Sequence, residues 1–146
     1  MKNPIKFCLS IFTLLFSFTT LFAEQRITTC GASEGYDFYA KSKLYEKKGW
    51  TKSKIEDGEI HLIKSNGKLD LKYKDASGVL KSVSQMGGQV ITLENSDGNI
   101  TVGVFAGGNA EIYSFTLDGS GKGELIWTKV RFSVIRNGGV STAKCR

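Results

Sequence analysis

From residue 58 onward, glycine punctuates this chain at a nearly constant interval. It falls at Gly58, Gly67, Gly78, Gly87/Gly88, Gly98, Gly107/Gly108, Gly119 and Gly138/Gly139, and every interval but the last is 9 to 11 residues. Turn signals at that spacing leave room for one short strand between each pair and none for a long helix, so they predict an all-β sandwich or barrel. The intervening segments agree. In "KLDLKYK", Leu69, Leu71 and Tyr73 alternate with Lys68, Asp70, Lys72 and Lys74. "NITVGVFA" and "AEIYSFTL" alternate as well, and "ELIWTKVRF" is the longest run rich in β-branched and aromatic residues. Asn66-Gly67 and Asp97-Gly98 are two-residue hairpin signals, because such turns need backbone that accepts positive φ.

The spacing predicts about eight strands, near 59–65, 68–74, 79–84, 89–94, 99–106, 110–117, 123–133 and 139–144. Short links make sequential strands antiparallel neighbours. The expected fold is therefore an antiparallel up-and-down meander closed into a small barrel, with a two-sheet β-sandwich as the alternative. The lead-in, residues 24–57, lacks alternation and reads as a loop with a turn or two of helix. The expected inward set includes Leu71, Tyr73, Ile91, Leu93, Phe115 and Trp127. Side chains of this size can fill a small barrel, which predicts a packed interior and recognition at the outside or rim.

The first 23 residues read as a secretory signal peptide rather than part of the fold. Lys2 and Lys6 precede an apolar run from Phe7 to Phe22, and Ala23 stands before the charged Glu24. The run is shorter than a comfortable span and carries five Ser and Thr residues. An exported chain, periplasmic or secreted, with no membrane span after cleavage is the expectation. The remainder, residues 24–146, suits a single β domain. Its 18 basic and 14 acidic residues give +4 once Lys2 and Lys6 are removed. That mild excess, with few arginines and an exported destination, argues against nucleic acid as partner.

Cys8 lies in the apolar run, leaving Cys30 and Cys145 near the two ends of the mature chain. An even pair in an oxidising compartment predicts a disulfide. In the chain-entropy model a loop this long contributes roughly 4 to 5 kcal/mol.

"LDGSGKGE" has the look of a phosphate loop, but Thr116 stands where the first glycine is required and Gly123 where Ser or Thr is required. It fails as a calcium loop too, since Lys122 and Lys129 occupy ligand positions. A glycine-rich hairpin loop is the reading. His61 is the only histidine, so it cannot build a zinc site alone, and an ordinary strand histidine is expected. Glu56, Asp57 and Glu59 cluster before the first predicted strand. They are a candidate carboxylate pair for hydrolysis, or simply solvated turn residues. No cofactor and no metal is implied.

The stretches "CGASEGYDFY", "GWTKSKIEDGEIHL" and "AKCR" resemble a family of small exported bacterial proteins of uncharacterised function. The resemblance rests on Cys30-Gly31, Gly35-Tyr36, Gly49-Trp50, Asp57-Gly58 and the cysteine near the end. It implies a single β domain with a cysteine near each terminus, and carries no activity. The functional expectation is a non-enzymatic binding domain of the envelope. The alternatives are an inhibitor of a lysozyme-type hydrolase and a weak hydrolase using the acidic cluster. The candidate partner surface is Tyr36, Tyr39, Tyr45 and Trp50 with Lys43, Lys47 and Lys48, facing an envelope protein or an anionic envelope component.

Overall fold

The computed structural model describes residues 24–41, 48–74, 78–132 and 136–146. They form ten strands and, among the described residues, no helix. The strands are β1 (Gln25–Tyr39), β2 (Gly49–Ile55), β3 (Glu59–Ser65), β4 (Lys68–Lys74), β5 (Leu80–Ser82), β6 (Gln89–Ser96), β7 (Asn99–Ala106), β8 (Asn109–Leu117), β9 (Gly123–Arg131) and β10 (Asn137–Cys145). All pairings are antiparallel within one continuous, strongly curled sheet, not two packed sheets. Its order is β5-β4-β3-β1-β10-β9-β8-β7-β6, with β2 alongside β1. First and last strands meet through β1 and β10, so the neighbour order is that of an up-and-down meander. Among the described residues no ladder joins β5 to β6, and the sheet is a half-barrel with its seam there.

The eight strands expected from the glycine spacing are present as β3 to β10. The lead-in is corrected: it forms β1, the longest strand, and β2. Residues 33–39 of β1 pair with β2, and residues 25–30 pair with β3 on the same edge. Alternation is hidden here because the inward positions Ser33, Gly35 and Asp37 are small or polar, while Tyr36 and Phe38 point outward. Nothing in that pattern marks a buried face.

The inward set is corrected at β6. Ile91 and Leu93 are 46% and 57% exposed, and Val90 packs on the core instead. "QVITL" offers apolar residues to both faces, and pairing of Val90 with Val104 of β7 selects which face turns inward. At Asn66-Gly67 both residues take positive φ (51° and 77°), as the hairpin requires, whereas at Asp97-Gly98 only the glycine does.

Cys30 lies opposite Cys145 in the β1–β10 register, with the sulfurs at disulfide distance, 1.97 Å. "LDGSGKGE" is a hairpin loop between β8 and β9. Asp118 Oδ1 accepts hydrogen bonds from the Ser120 and Lys122 amides (2.8 and 3.0 Å) and from Ser120 Oγ (2.7 Å). Those bonds, the Ser120 hydroxyl first, hold the Asp118 carboxyl below the usual aspartate range. Thr28 Oγ1 of β1 donates to the Gly121 carbonyl (2.6 Å), fastening the loop across that end of the half-barrel.

Candidate functional site

The inner face is packed at one end and hollow at the other. Leu62, Leu71, Val102, Phe115 and Leu125 fill the end beside the β8–β9 loop. Toward the opposite end the same strands line a cavity of about 640 Å³. The expectation of a filled interior is thereby corrected, and the reason lies in the inward register of β8 and β9. Leu125 and Trp127 are followed inward by Lys129 and Arg131, and Tyr113 is preceded inward by Glu111 and Asn109, these four polar residues all on the cavity wall. Polar residues do not interdigitate as Leu and Phe do.

An aromatic file crosses the cavity wall. Tyr113 stacks on Trp127 with ring centres 5.9 Å apart, and Tyr73 stands 6.1 Å from Tyr113 on its other side. The Tyr73 hydroxyl donates to the Tyr113 hydroxyl (3.1 Å), which in turn donates to the Glu111 carboxylate. Burial is the main reason that both phenols stay protonated far above the ordinary tyrosine range. The chain of hydroxyls therefore has a fixed direction and ends on a carboxylate in the cavity wall. Trp127 Nε1 and Asn137 Oδ1 are buried without a hydrogen-bond partner among the described residues.

Two ion pairs flank this wall. Lys129 Nζ lies 3.1 Å from Asp37 Oδ2 in a hydrogen bond and 3.0 Å from Oδ1 without the alignment for a second. Both side chains are below 10% exposed. Gly139 makes room for that carboxylate, since a Cβ there would sit 2.0 Å from Asp37 Oδ1. At the lip, Glu59 pairs with Lys74 (3.4 Å) and with His61 Nε2 (2.9 Å). The His61 hydrogen bond is the foremost cause that holds Glu59 below the usual carboxylate range. His61 Nδ1 meets Thr29 Oγ1 at 3.2 Å, so the only histidine has both nitrogens occupied in the sheet. Glu56 and Asp57 also line the cavity, in the link between β2 and β3. Among the described residues no group of His, Cys, Asp and Glu is arranged to hold a metal ion.

The residues expected to form a partner surface lie elsewhere. Tyr36 and Trp50 stand on the outer face, 54% and 66% exposed, and Trp50 packs edge-on against Phe38 (5.4 Å). Tyr39 is half-buried at the end of β1, and Lys48 is exposed. Tyr45, Lys43 and Lys47 lie outside the described residues. None of the described four lines the cavity. The cavity residues that sequence reading missed are Glu111, Lys129 and Arg131. Their signal was available: each shares inward parity with a core aromatic, Tyr113 or Trp127, and a charged residue on an apolar face marks an interior that is not simply packed.

Of the motifs behind the family resemblance, Cys30-Gly31 and Gly35-Tyr36 lie on β1, Gly49-Trp50 opens β2, and Asp57-Gly58 forms the link to β3. No family model, no curated protein and no solved structure matches the chain.

Proposed function

We propose that the chain is an exported, non-enzymatic binding domain of the bacterial envelope, and that its ligand seat is the hollow end of the half-barrel. The carrying observation is the cavity itself. A volume of about 640 Å³ is in the range of small-molecule sites, and the aromatic file shares its wall with charged groups. That combination suits an amphipathic small molecule with an apolar or ring-bearing body. Closure of the barrel along the seam belongs to the same reading, since beyond the short β5 the β4 residue Leu69 and the β6 residue Val90 border one gap and both pack on the core. Export is supported by the signal-peptide layout and by the paired cysteines. Among the described residues no helix is long and apolar enough to cross a membrane.

The test uses Trp127 as reporter. Trp50→Phe leaves it the sole tryptophan, and anilinonaphthalene sulfonate serves as an apolar anionic probe. Saturable one-to-one quenching is expected, and Ala106→Phe, which fills part of the cavity, should abolish it. Binding that ignores Ala106→Phe, or no saturable binding, overturns the reading.

A second reading is favoured by one observation. Glu56, Asp57, Glu59 and Glu111 all line the same cavity, so the acidic cluster does border a cleft. Peptidoglycan turnover lost in Glu111→Gln would establish a hydrolase instead. Inhibition of lysozyme would establish the inhibitor reading.

A further inference from the structure

The outer face of the sheet is graded from one end to the other, and the grading follows the register. The row nearest the β1–β2 and β9–β10 links reads Phe105, Ala110, Val130, Gly138, Phe38 and Trp50 across six strands. The next row is mixed and reads Gly103, Ile112, Thr128, Val140, Tyr36 and Lys52. The third contains Thr101, Ser114, Thr142, Glu34 and Lys54 around a single Ile126, and the fourth reads Asn99, Thr116, Glu124 and Lys144. Phe105, Ile112, Val130 and Trp50 are each 46% to 66% exposed, and Phe132 just beyond the first row is 65% exposed. A curled sheet facing water on its outside has no need of an apolar row with further apolar residues behind it, and exposed apolar surface gathered at one end marks a contact.

The same end carries unpaired cations. Lys41, Lys48 and Arg136 are exposed and form no ion pair with any described residue. The carboxylate that β1 carries toward this end, Asp37, is turned inward onto Lys129. The links are tied together: Ala40 N donates to the Arg136 carbonyl (3.0 Å), and Phe132 N donates to the Gly108 carbonyl (2.9 Å). Between them Phe38, Val130, Phe132 and Arg136 border a shallow groove.

We propose that this end docks on an anionic phospholipid surface. Aromatic and aliphatic side chains beside free cations, with no exposed carboxylate among the described residues of these rows, match the chemistry of an anionic bilayer interface. A second copy fits less well, because a two-fold contact through these rows would bring the free cations of both copies together. These rows lie on the convex side of a curled sheet, where a lipid surface adapts and a rigid protein partner needs a matching hollow. This inference does not rest on the cavity, and the variants below leave the cavity lining intact.

Flotation tests it, using the chain as its host exports it, with vesicles of phosphatidylcholine alone and of phosphatidylcholine mixed with phosphatidylglycerol. Preferential binding to the mixed vesicles is expected. Lys48→Gln with Arg136→Gln should weaken it about fivefold per cation removed, and Trp50→Ser with Phe132→Ser should abolish it. Lys68→Gln, placed at the β3–β4 turn, should bind as the parent does. Thermal melts of each variant report whether the sheet is intact. Equal binding to both vesicle types, tip variants that bind like the parent, or a dimer dispersed by Trp50→Ser would each overturn the proposal.

Discussion

The two ends of the inner face are built from the same strands and obey opposite rules. Beside the β8–β9 loop, Cys30, Leu62, Leu71, Val102, Phe115 and Leu125 are all at most 1% exposed, and Thr28 fastens the loop over them. At the other end the strands run on into Glu111, Lys129 and Arg131, which line a cavity. A packed apolar end contributes hydrophobic and dispersion stability. The hollow end forgoes it and also shelters an indole N–H and an amide oxygen that find no hydrogen-bond partner among the described residues. One domain can hold both because the packed end offsets the cost of the hollow one, a division expected where a binding site is carried on a stable scaffold.

The comparison can be broken first at the packed end. Reducing the Cys30–Cys145 pair, or replacing both by serine, should cost roughly 4 to 5 kcal/mol by the chain-entropy model. Urea unfolding with and without reductant measures it, and intact mass under non-reducing conditions should show two fewer hydrogens than the free thiols. If the packed core suffices alone, the β signature survives at lower denaturant.

A smaller effect tests the hollow end. Lys129→Met leaves Asp37 buried without its cation and should cost about 3 to 5 kcal/mol. Adding Asp37→Leu should recover most of that loss, because a buried pair replaced by apolar groups is close to neutral. A double variant no more stable than the single one would show that the pair does not act as a unit. Anilinonaphthalene sulfonate binding in the double variant then reports whether these charges serve the ligand or only the fold.

The smallest effect concerns the loop that covers the packed end. The folded Asp118 carboxyl titrates below its ordinary value of 3.8. A group depressed in the folded state adds stability above its unfolded value and loses it as pH falls through the folded one. Between pH 5 and pH 2 the parent should therefore lose slightly more stability than Asp118→Asn. Parallel acid melts check this, and identical slopes would mean that the loop bonds carry no net stability.

Much of the fold was legible because strands β3 to β10 are bounded by glycine turns and several of them alternate cleanly. "KLDLKYK" alone gives the parity of β4. β1 was not legible, because an inward row of Ser33, Gly35 and Asp37 looks like no face at all. The parity of β6 was ambiguous, since "QVITL" is apolar on both sides. The site was legible only as fragments. Glu56, Asp57 and Glu59 stood out as a cluster, but nothing local tied them to Glu111 or Tyr113.

The sequence by itself determined the strand spacing, the hairpin chemistry at Asn66-Gly67, the failure of the phosphate-loop motif and the pairing of two terminal cysteines. Each of these follows from residues within about ten positions of one another or from simple parity of count. Only the tertiary structure decided that Tyr73 meets Tyr113 40 residues away, and that Lys129 closes on Asp37 across 92. Alternation says which side chains share a face. How tightly the sheet curls, and therefore where that face packs and where it stays hollow, depends on closing β1 against β10 over almost the whole chain, and that long-range pairing leaves no local trace.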